Sequence, residues 1–113
     1  MQGKHILVLE DEPIIAFALE DQLLDEGAIV TVHCSLDNGL EAAKTEPFDF
    51  AILDVNLHGQ RSYPLAYALT ERSIPFAFAT GYGDAEHPAD LWHVPTLTKP
   101  YLIGHIRELV AAA

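Results

Sequence analysis

Five short apolar runs, separated by amphipathic stretches, constrain the fold of this chain more than any other feature of its sequence. Runs that are apolar throughout are typical of parallel strands buried on both faces, and such strands are joined by crossover helices. The strands are placed at 5–9, 29–33, 49–53, 76–79 and 95–98. We therefore expect an α/β fold with one parallel sheet of five strands.

The stretches between the runs predict the helices. Pro13 suits the first turn of a helix that Gly27 ends. Ser35 and Asp37 can cap a second helix, which stops before Pro47. Further helices are placed at 63–72 and from about residue 101.

The fourth helix is the weakest of the set. The segment Asp84 to Trp92 contains Pro88 and shows little helical periodicity. We expect a short or mobile helix there.

Length and charge limit the classes of protein to which this chain can belong. The 113 residues suit one domain, 1–113, and after Val110 only three alanines follow, so we expect no effector domain. The net charge of −11 disfavours binding to nucleic acid or to a membrane surface. The single cysteine, Cys34, and the absence of a long apolar run predict a cytoplasmic protein, which we expect to be a monomer.

Right-handed crossovers make the flavodoxin-like order 2-1-3-4-5 the most economical arrangement of five βα units in a three-layer sandwich. The first strand then lies beside the third, so Glu10 and Asp11 fall about one strand spacing, ~4.8 Å, from Asp54. The fourth and fifth strands bring Thr80 and Lys99 to the same edge of the sheet. Ligands of open α/β sheets bind at this edge.

Three carboxylates gathered at one edge repel one another and favour a bound cation. The candidate ligands are all oxygens: Asp11, Asp54, Glu10 through a water, and the backbone carbonyl of Asn56. Such a set favours Mg²⁺. The histidines show no paired ligand spacing, which argues against zinc.

A metal at this edge suits an aspartate that accepts a phosphoryl group. The Asp54 carboxylate can act as the nucleophile, while Lys99 and the Thr80 hydroxyl neutralise charge on the transferring oxygens. Each of these residues alone could be a solvated cap or a surface charge. Their joint placement after four strands favours the functional interpretation.

The motifs at these positions resemble response-regulator receiver domains of two-component signalling, over essentially the whole chain. The matching segments are Ile6-Leu7-Val8-Leu9-Glu10-Asp11-Glu12-Pro13, Ala51-Ile52-Leu53-Asp54-Val55-Asn56-Leu57, Thr80-Gly81 and Lys99-Pro100-Tyr101. The resemblance implies a metal pair at Glu10 and Asp11, a phosphoacceptor at Asp54, a switch hydroxyl at Thr80 and a phosphate-binding cation at Lys99. It implies a phosphohistidine donor, either a histidine kinase or a phosphotransfer protein. The chain would catalyse only its own phosphorylation and dephosphorylation, and would act by binding a downstream protein or by onward transfer.

A finer resemblance lies in the segment Phe76–Tyr82, which is similar to the single-domain subgroup with a Phe-Ala-Thr-Gly-hydrophobic-Tyr motif. Receivers usually carry an aromatic residue three positions before the lysine, and Thr96 stands there. We hypothesise that Tyr82 partly replaces this aromatic switch. The expected switching surface includes Tyr101, with Trp92 and Ile103 nearby.

Four other classes of protein were weighed against the sequence. A degenerate receiver, working only as an interaction module, and a receiver cut from a hybrid histidine kinase would both carry these motifs. A phosphohydrolase would need an acid where Asn56 stands. A nucleotide-binding module would need a phosphate loop in place of Glu10-Asp11-Glu12.

Overall fold

The computed structural model describes residues 1–81 and 87–113. In chain order the elements are β1 (His5–Leu9), α1 (Pro13–Asp25), β2 (Ile29–His33), α2 (Leu36–Thr45), β3 (Phe50–Asp54), β4 (Asn56–Leu57), β5 (Gln60–Arg61), α3 (Tyr63–Glu71), β6 (Phe76–Thr80), a 3₁₀ helix (Ala89–Leu91), β7 (Thr96–Thr98) and α4 (Ile103–Ala112). No helix within these residues is long and apolar enough to cross a membrane.

The main sheet has five parallel strands in the order β2-β1-β3-β6-β7. These are the five predicted strands in the predicted 2-1-3-4-5 arrangement, so the flavodoxin-like order is confirmed. Strands β4 and β5 form a separate antiparallel hairpin, which the sequence analysis did not predict. The hairpin directly follows the carboxyl end of β3.

The central strands are buried on both faces, which explains their unbroken apolar sequences. Along β1, Leu7 and Leu9 join a core cluster with residues of α2 and α3. Ile6 and Val8 join a second cluster with residues of α1 and α4. The sheet is therefore covered by a helical layer on each side, and its polar side chains collect at the strand ends.

The predicted ends of the first two helices agree with the structure. Pro13 occupies the first turn of α1, and Gly27 follows the helix with φ +84°, a left-handed conformation that favours glycine. Ser35 precedes α2, and its Oγ accepts a hydrogen bond from the Asn38 backbone N–H at 3.3 Å.

Helix α2 approaches the sheet closely at Gly39. A Cβ atom at this position would lie 2.9 Å from Leu9 Cδ1 and 3.2 Å from Leu65 Cδ2. The absence of a side chain therefore allows α2 to pack between β1 and α3.

The segment Asp84–Trp92, expected to hold a short helix, falls partly outside the described residues. Its described part contains only the 3₁₀ helix Ala89–Leu91. The last helix begins at Ile103, two residues later than the expected start near 101. The helix starts later because the backbone of Leu102, the residue before it, is extended.

Aromatic and hydrogen-bonding contacts join the segment after residue 86 to α3. The His87 ring stacks on Phe78 with centroids 4.4 Å apart, and its Nδ1 lies 3.0 Å from the Tyr63 hydroxyl. One turn further along α3, the Tyr67 hydroxyl donates to Asp90 Oδ1 at 3.0 Å. We call these contacts the α3 tether, because most of them join the segment that begins at His87 to α3.

Candidate functional site

Three carboxylates converge at the carboxyl edge of the sheet. One oxygen from each of Glu10, Asp11 and Asp54 lies within 4.8 Å of the other two. The arrangement follows from topology, because β1 and β3 are adjacent and Leu9 pairs with Leu53. The three acidic side chains that were predicted to lie at this edge are therefore found together.

Lys99 reaches the same cluster from the neighbouring side. Its Nζ lies 2.6 Å from Glu10 Oε1 and 3.2 Å from Asp54 Oδ2. The Lys99 backbone N–H donates to the Thr80 carbonyl at 3.0 Å, which extends the pairing of β6 and β7 by one residue. A cis peptide joins Lys99 to Pro100.

Burial and electrostatics oppose each other at Lys99. Burial would lower the pKa of its ammonium, but contacts with Glu10 and with the charge of Asp54 raise it overall. Lys99 therefore stays charged and supplies the positive charge of this edge.

Glu10 is completely buried, and three donors hold its carboxylate. Oε1 contacts the Lys99 ammonium and also accepts from the Tyr101 hydroxyl at 3.4 Å. Oε2 accepts from the Glu12 backbone N–H at 3.2 Å. Burial, with the nearby charges of Glu10 and Asp54, raises the pKa of Tyr101, so the phenol remains a donor.

Asp54, the last residue of β3, is buried beside like charge. Burial and the neighbouring Glu10 raise its pKa from the ordinary 3.8 to about 7, and Lys99 opposes the rise. A carboxylate in this state gains from a second positive charge, which would favour its ionised form.

Asp11 has a different environment, although it lies in the same cluster. Its Oδ2 accepts a hydrogen bond from the His58 backbone N–H at 3.0 Å. Burial acts to raise the pKa of Asp11, but this hydrogen bond, those with Asp54 and Glu10, and the His58 charge lower it. Asp11 is therefore the more readily ionised of the two aspartates.

Three other predicted residues lie on β6, β4 and β7. Thr80 is the last residue of β6 and is 8% exposed. Asn56 begins β4, and its Oδ1 accepts from the Gly59 backbone N–H at 3.1 Å. Thr96 begins β7, is half-buried, and pairs with Phe78. Tyr82 lies outside the described residues.

The residues expected on a switching surface differ in exposure. Trp92 is 74% exposed, and its Nε1 donates to the His87 carbonyl at 3.0 Å. Tyr101 and Ile103 are half-buried and pack against the core on the α1 side of the sheet. Of these three residues, Trp92 alone presents most of its side chain to solvent.

Sequence reasoning missed the contact between His58 and Asp11 and the α3 tether. The signal for the first was the pair His58-Gly59, a turn sequence that permits positive φ. The tether joins Tyr63 to His87, which are 24 residues apart, and no local pattern points to it.

The donor atoms fit a hard divalent cation. They are carboxylate oxygens in a buried or half-buried setting, and none is a thiolate or an imidazole. Oxygen ligands of this kind suit Mg²⁺. Lys99 lies beside the cluster, so a cation bound by the carboxylates and the Lys99 ammonium could together neutralise the charge of an anionic ligand.

Comparison with known proteins identifies the class to which this fold and site belong. Residues 6–111 match the family described as response regulator receiver domain. The chain belongs to this family, whose members act in two-component phosphorelay signalling.

Among curated relatives, the TorCAD operon transcriptional regulatory protein TorR of Escherichia coli O157:H7 is 35% identical over 81 residues, covering 71% of this chain and 35% of that protein. The uncharacterized transcriptional regulatory protein YkoG of Bacillus subtilis (strain 168) is 30% identical over 118 residues, covering 100% of this chain and 52% of that protein. The chain therefore spans about half or less of the length of these relatives.

Solved structures share the fold. SdrG from Sphingomonas melonis Fr1 is 38% identical with a TM-score of 0.82, covering 97% of this chain and 95% of that one. The receiver domain of sensor histidine kinase PA1611 from Pseudomonas aeruginosa PAO1, solved with a magnesium ion in the active site cleft, has a TM-score of 0.84 at 21% identity, covering 97% and 96%. The second likeness shows the fold alone.

Proposed function

We propose that this receiver accepts a phosphoryl group onto Asp54 from a phosphohistidine of a histidine kinase or phosphotransfer protein, with Mg²⁺ bound by Asp11, Asp54 and Glu10. The observation that carries the proposal is the meeting of three carboxylates within 4.8 Å of one another beside the Lys99 ammonium. Asp54 has both neighbours that a carboxylate nucleophile needs: acidic ligands for a cation and the positive charge of Lys99.

In the transfer, an Asp54 carboxylate oxygen attacks phosphorus. The new O–P bond forms as the P–N bond to the donor imidazole breaks, and the electron pair of that bond stays on the imidazole. Lys99 stabilises negative charge on one phosphoryl oxygen, and the Thr80 hydroxyl donates to another. Mg²⁺, when bound, supplies further positive charge and favours the ionised form of Asp54.

Asn56 and Tyr101 complete the proposed assignment. The Asn56 backbone carbonyl is the remaining metal ligand from the protein, and the Asn56 side chain stays within the hairpin through Gly59. Tyr101 holds Glu10 as Lys99 turns from Glu10 toward the incoming phosphoryl group. By this assignment the domain catalyses only its own phosphorylation and dephosphorylation.

The nature of the relatives supports a signalling role. A BeF3-activated conformation of SdrG, from Pseudomonas melonis Fr1, is 39% identical with a TM-score of 0.77, covering 99% of this chain and 98% of that one. Several relatives are named as transcriptional regulators. We propose that this chain likewise passes its signal on in the cytoplasm, by binding a downstream protein or by onward phosphotransfer.

The donor is proposed to dock on α1. Ile14 and Phe17 are 83% and 63% exposed. Ile14 lines a cavity of about 410 Å³ together with Lys99 and Tyr101, and Lys99 in turn contacts the acceptor Asp54. We expect Ile14→Ser and Phe17→Ser to slow transfer from the cognate donor while leaving phosphorylation by acetyl phosphate unchanged, because only the protein donor needs the surface.

The central test is intact-mass spectrometry after incubation with acetyl phosphate and Mg²⁺. We expect a mass increase of one phosphoryl group, lost in Asp54→Asn and retained in the exposed control Asp21→Asn. Hydroxylamine should remove the adduct, since it cleaves acyl phosphates. If the wild-type protein shows no adduct, the domain is an interaction module and the proposal is wrong.

A further inference from the structure

We propose that the β4–β5 hairpin positions Asp11 for metal binding, and that it does so through the backbone N–H of His58. This inference rests on the proposed function, since it concerns one ligand of the proposed Mg²⁺ site. It assigns a role to a structural element that was not predicted from the sequence.

The hairpin is held at both ends. Its two pairs are Asn56 with Arg61 and Leu57 with Gln60, and the Ser62 backbone N–H donates to the Val55 carbonyl at 3.0 Å below them. The side chain of Leu57 is only 1% exposed and packs in the core. The turn is thus fixed relative to β3.

The turn residues adopt left-handed backbone conformations, with φ +48° at His58 and φ +86° at Gly59. Two positive φ angles are typical of the tight turns that match the twist of a hairpin. A left-handed conformation is unfavourable for a non-glycine residue, so the hairpin must hold His58 there. The Asn56 side chain contributes by accepting from the Gly59 backbone N–H.

This conformation directs the His58 backbone N–H to Asp11 Oδ2 at 3.0 Å. A hydrogen bond to a carboxylate is charge-assisted, and it fixes the orientation of the group. The lone pairs that remain on the Asp11 carboxylate are then available to a cation without further ordering. Hydrogen bonds that orient metal ligands typically contribute about 10- to 100-fold to metal affinity.

The imidazole of His58 contributes less to this effect. Its Nδ1 lies 3.5 Å from Asp11 Oδ2, and the side chain is 78% exposed. An exposed pair at this distance is screened by water. The backbone amide, not the ring, is therefore the positioning group.

Two substitutions at position 58 distinguish the contribution of the backbone amide to Mg²⁺ affinity from that of the ring. His58→Gly removes the ring but favours positive φ, so the amide stays in place. His58→Val also removes the ring but opposes positive φ, because its Cβ is branched. By isothermal titration calorimetry with Mg²⁺ alone, we expect His58→Val to bind about 10-fold more weakly and His58→Gly to remain within about 2-fold of wild type.

Either of two results overturns the proposal: wild-type affinity in His58→Val, or equally weak binding in both variants, which would assign the effect to the ring.

A measurement without metal serves as the second test. Amide hydrogen exchange at His58 should be slow in wild type and in Asp11→Asn, which keeps an acceptor oxygen, and fast in Asp11→Ala. Fast exchange in the wild-type protein would also contradict the inference. Absence of Mg²⁺ binding in wild type with slow exchange at His58 would instead count against the proposed function.

Discussion

The Lys99 ammonium lies 2.6 Å from Glu10 Oε1 and 3.2 Å from Asp54 Oδ2, so the buried glutamate holds the cation more closely than the acceptor does. Without metal, this ammonium is the main positive charge among three carboxylates. The site therefore has a surplus of negative charge before any ligand binds, and this surplus governs its stability and its response to cations.

Removal of the Lys99 charge should destabilise the metal-free protein. Lys99→Met keeps most of the side-chain volume but leaves Glu10 buried without its cation, and such a loss costs about 3 kcal/mol. Urea unfolding in EDTA measures this cost, with the exposed Lys4→Met as the matched control. Equal free energies of unfolding for the two variants would show that the ion pair does not stabilise the fold.

Mg²⁺ should narrow the difference in stability between wild type and Asp54→Asn. The pKa of Asp54 is about 7 in the folded protein against an ordinary 3.8. The metal-free fold therefore loses stability as pH rises from about 3.8 to about 7, because over this range the unfolded chain has released a proton that the folded protein still holds. At about pH 8 in EDTA, Asp54→Asn should therefore be the more stable protein. Mg²⁺ at tenfold its dissociation constant should stabilise wild type by about 1.4 kcal/mol and the variant by less. Equal gains for the two proteins in thermal unfolding would exclude Asp54 as a ligand.

Mild acid should loosen the α3 tether. Burial lowers the pKa of His87, so the unfolded chain binds the proton more readily, and the tether loses stability as pH falls through about 6.5. Trp92 donates to the His87 carbonyl, which makes its fluorescence a local reporter. Between about pH 7.5 and pH 5.5 we expect a change in this fluorescence in wild type and none in His87→Phe, which keeps the ring on Phe78. A change of equal size in the variant would assign the effect to another group.

Two helical glycines should respond differently to alanine. A Cβ at Gly104 in α4 meets no atom within 4 Å, so Gly104→Ala should stabilise the protein by about 0.5–1 kcal/mol through helix propensity alone. At Gly39 the same change places Cβ 2.9 Å from Leu9 Cδ1. We expect Gly39→Ala to gain nothing and Gly39→Val to lose about 2 kcal/mol, as read from urea midpoints. Stabilisation by Gly39→Val would mean that α2 does not pack closely on β1.

The fold and the members of the site were predictable because each depends on a local pattern combined with one topological rule. Glu10, Asp54 and Lys99 follow apolar runs, and the strand order then brings all three to one edge. Nothing beyond the order of the strands was needed to foresee their proximity.

The contacts within the site were not predictable, because they depend on side-chain geometry and on short elements. Lys99 pairs more closely with Glu10 than with the other nearby carboxylates, and the spacing of these residues in the sequence does not predict this preference. Strands β4 and β5 have two residues each, too few for a periodic pattern. The role hypothesised for Tyr82 stays a prediction, since that residue lies outside the described part of the chain.

The hairpin has a consequence for engineering. The acceptor, the proposed ligand carbonyl and the turn that reaches Asp11 all belong to one continuous stretch, residues 54–61. The internal hydrogen bond of the turn, from Gly59 to Asn56, also lies within this stretch. Transplanting these eight residues into a receiver with a different loop should therefore transfer the metal affinity set by the turn, provided that the host has an aspartate equivalent to Asp11.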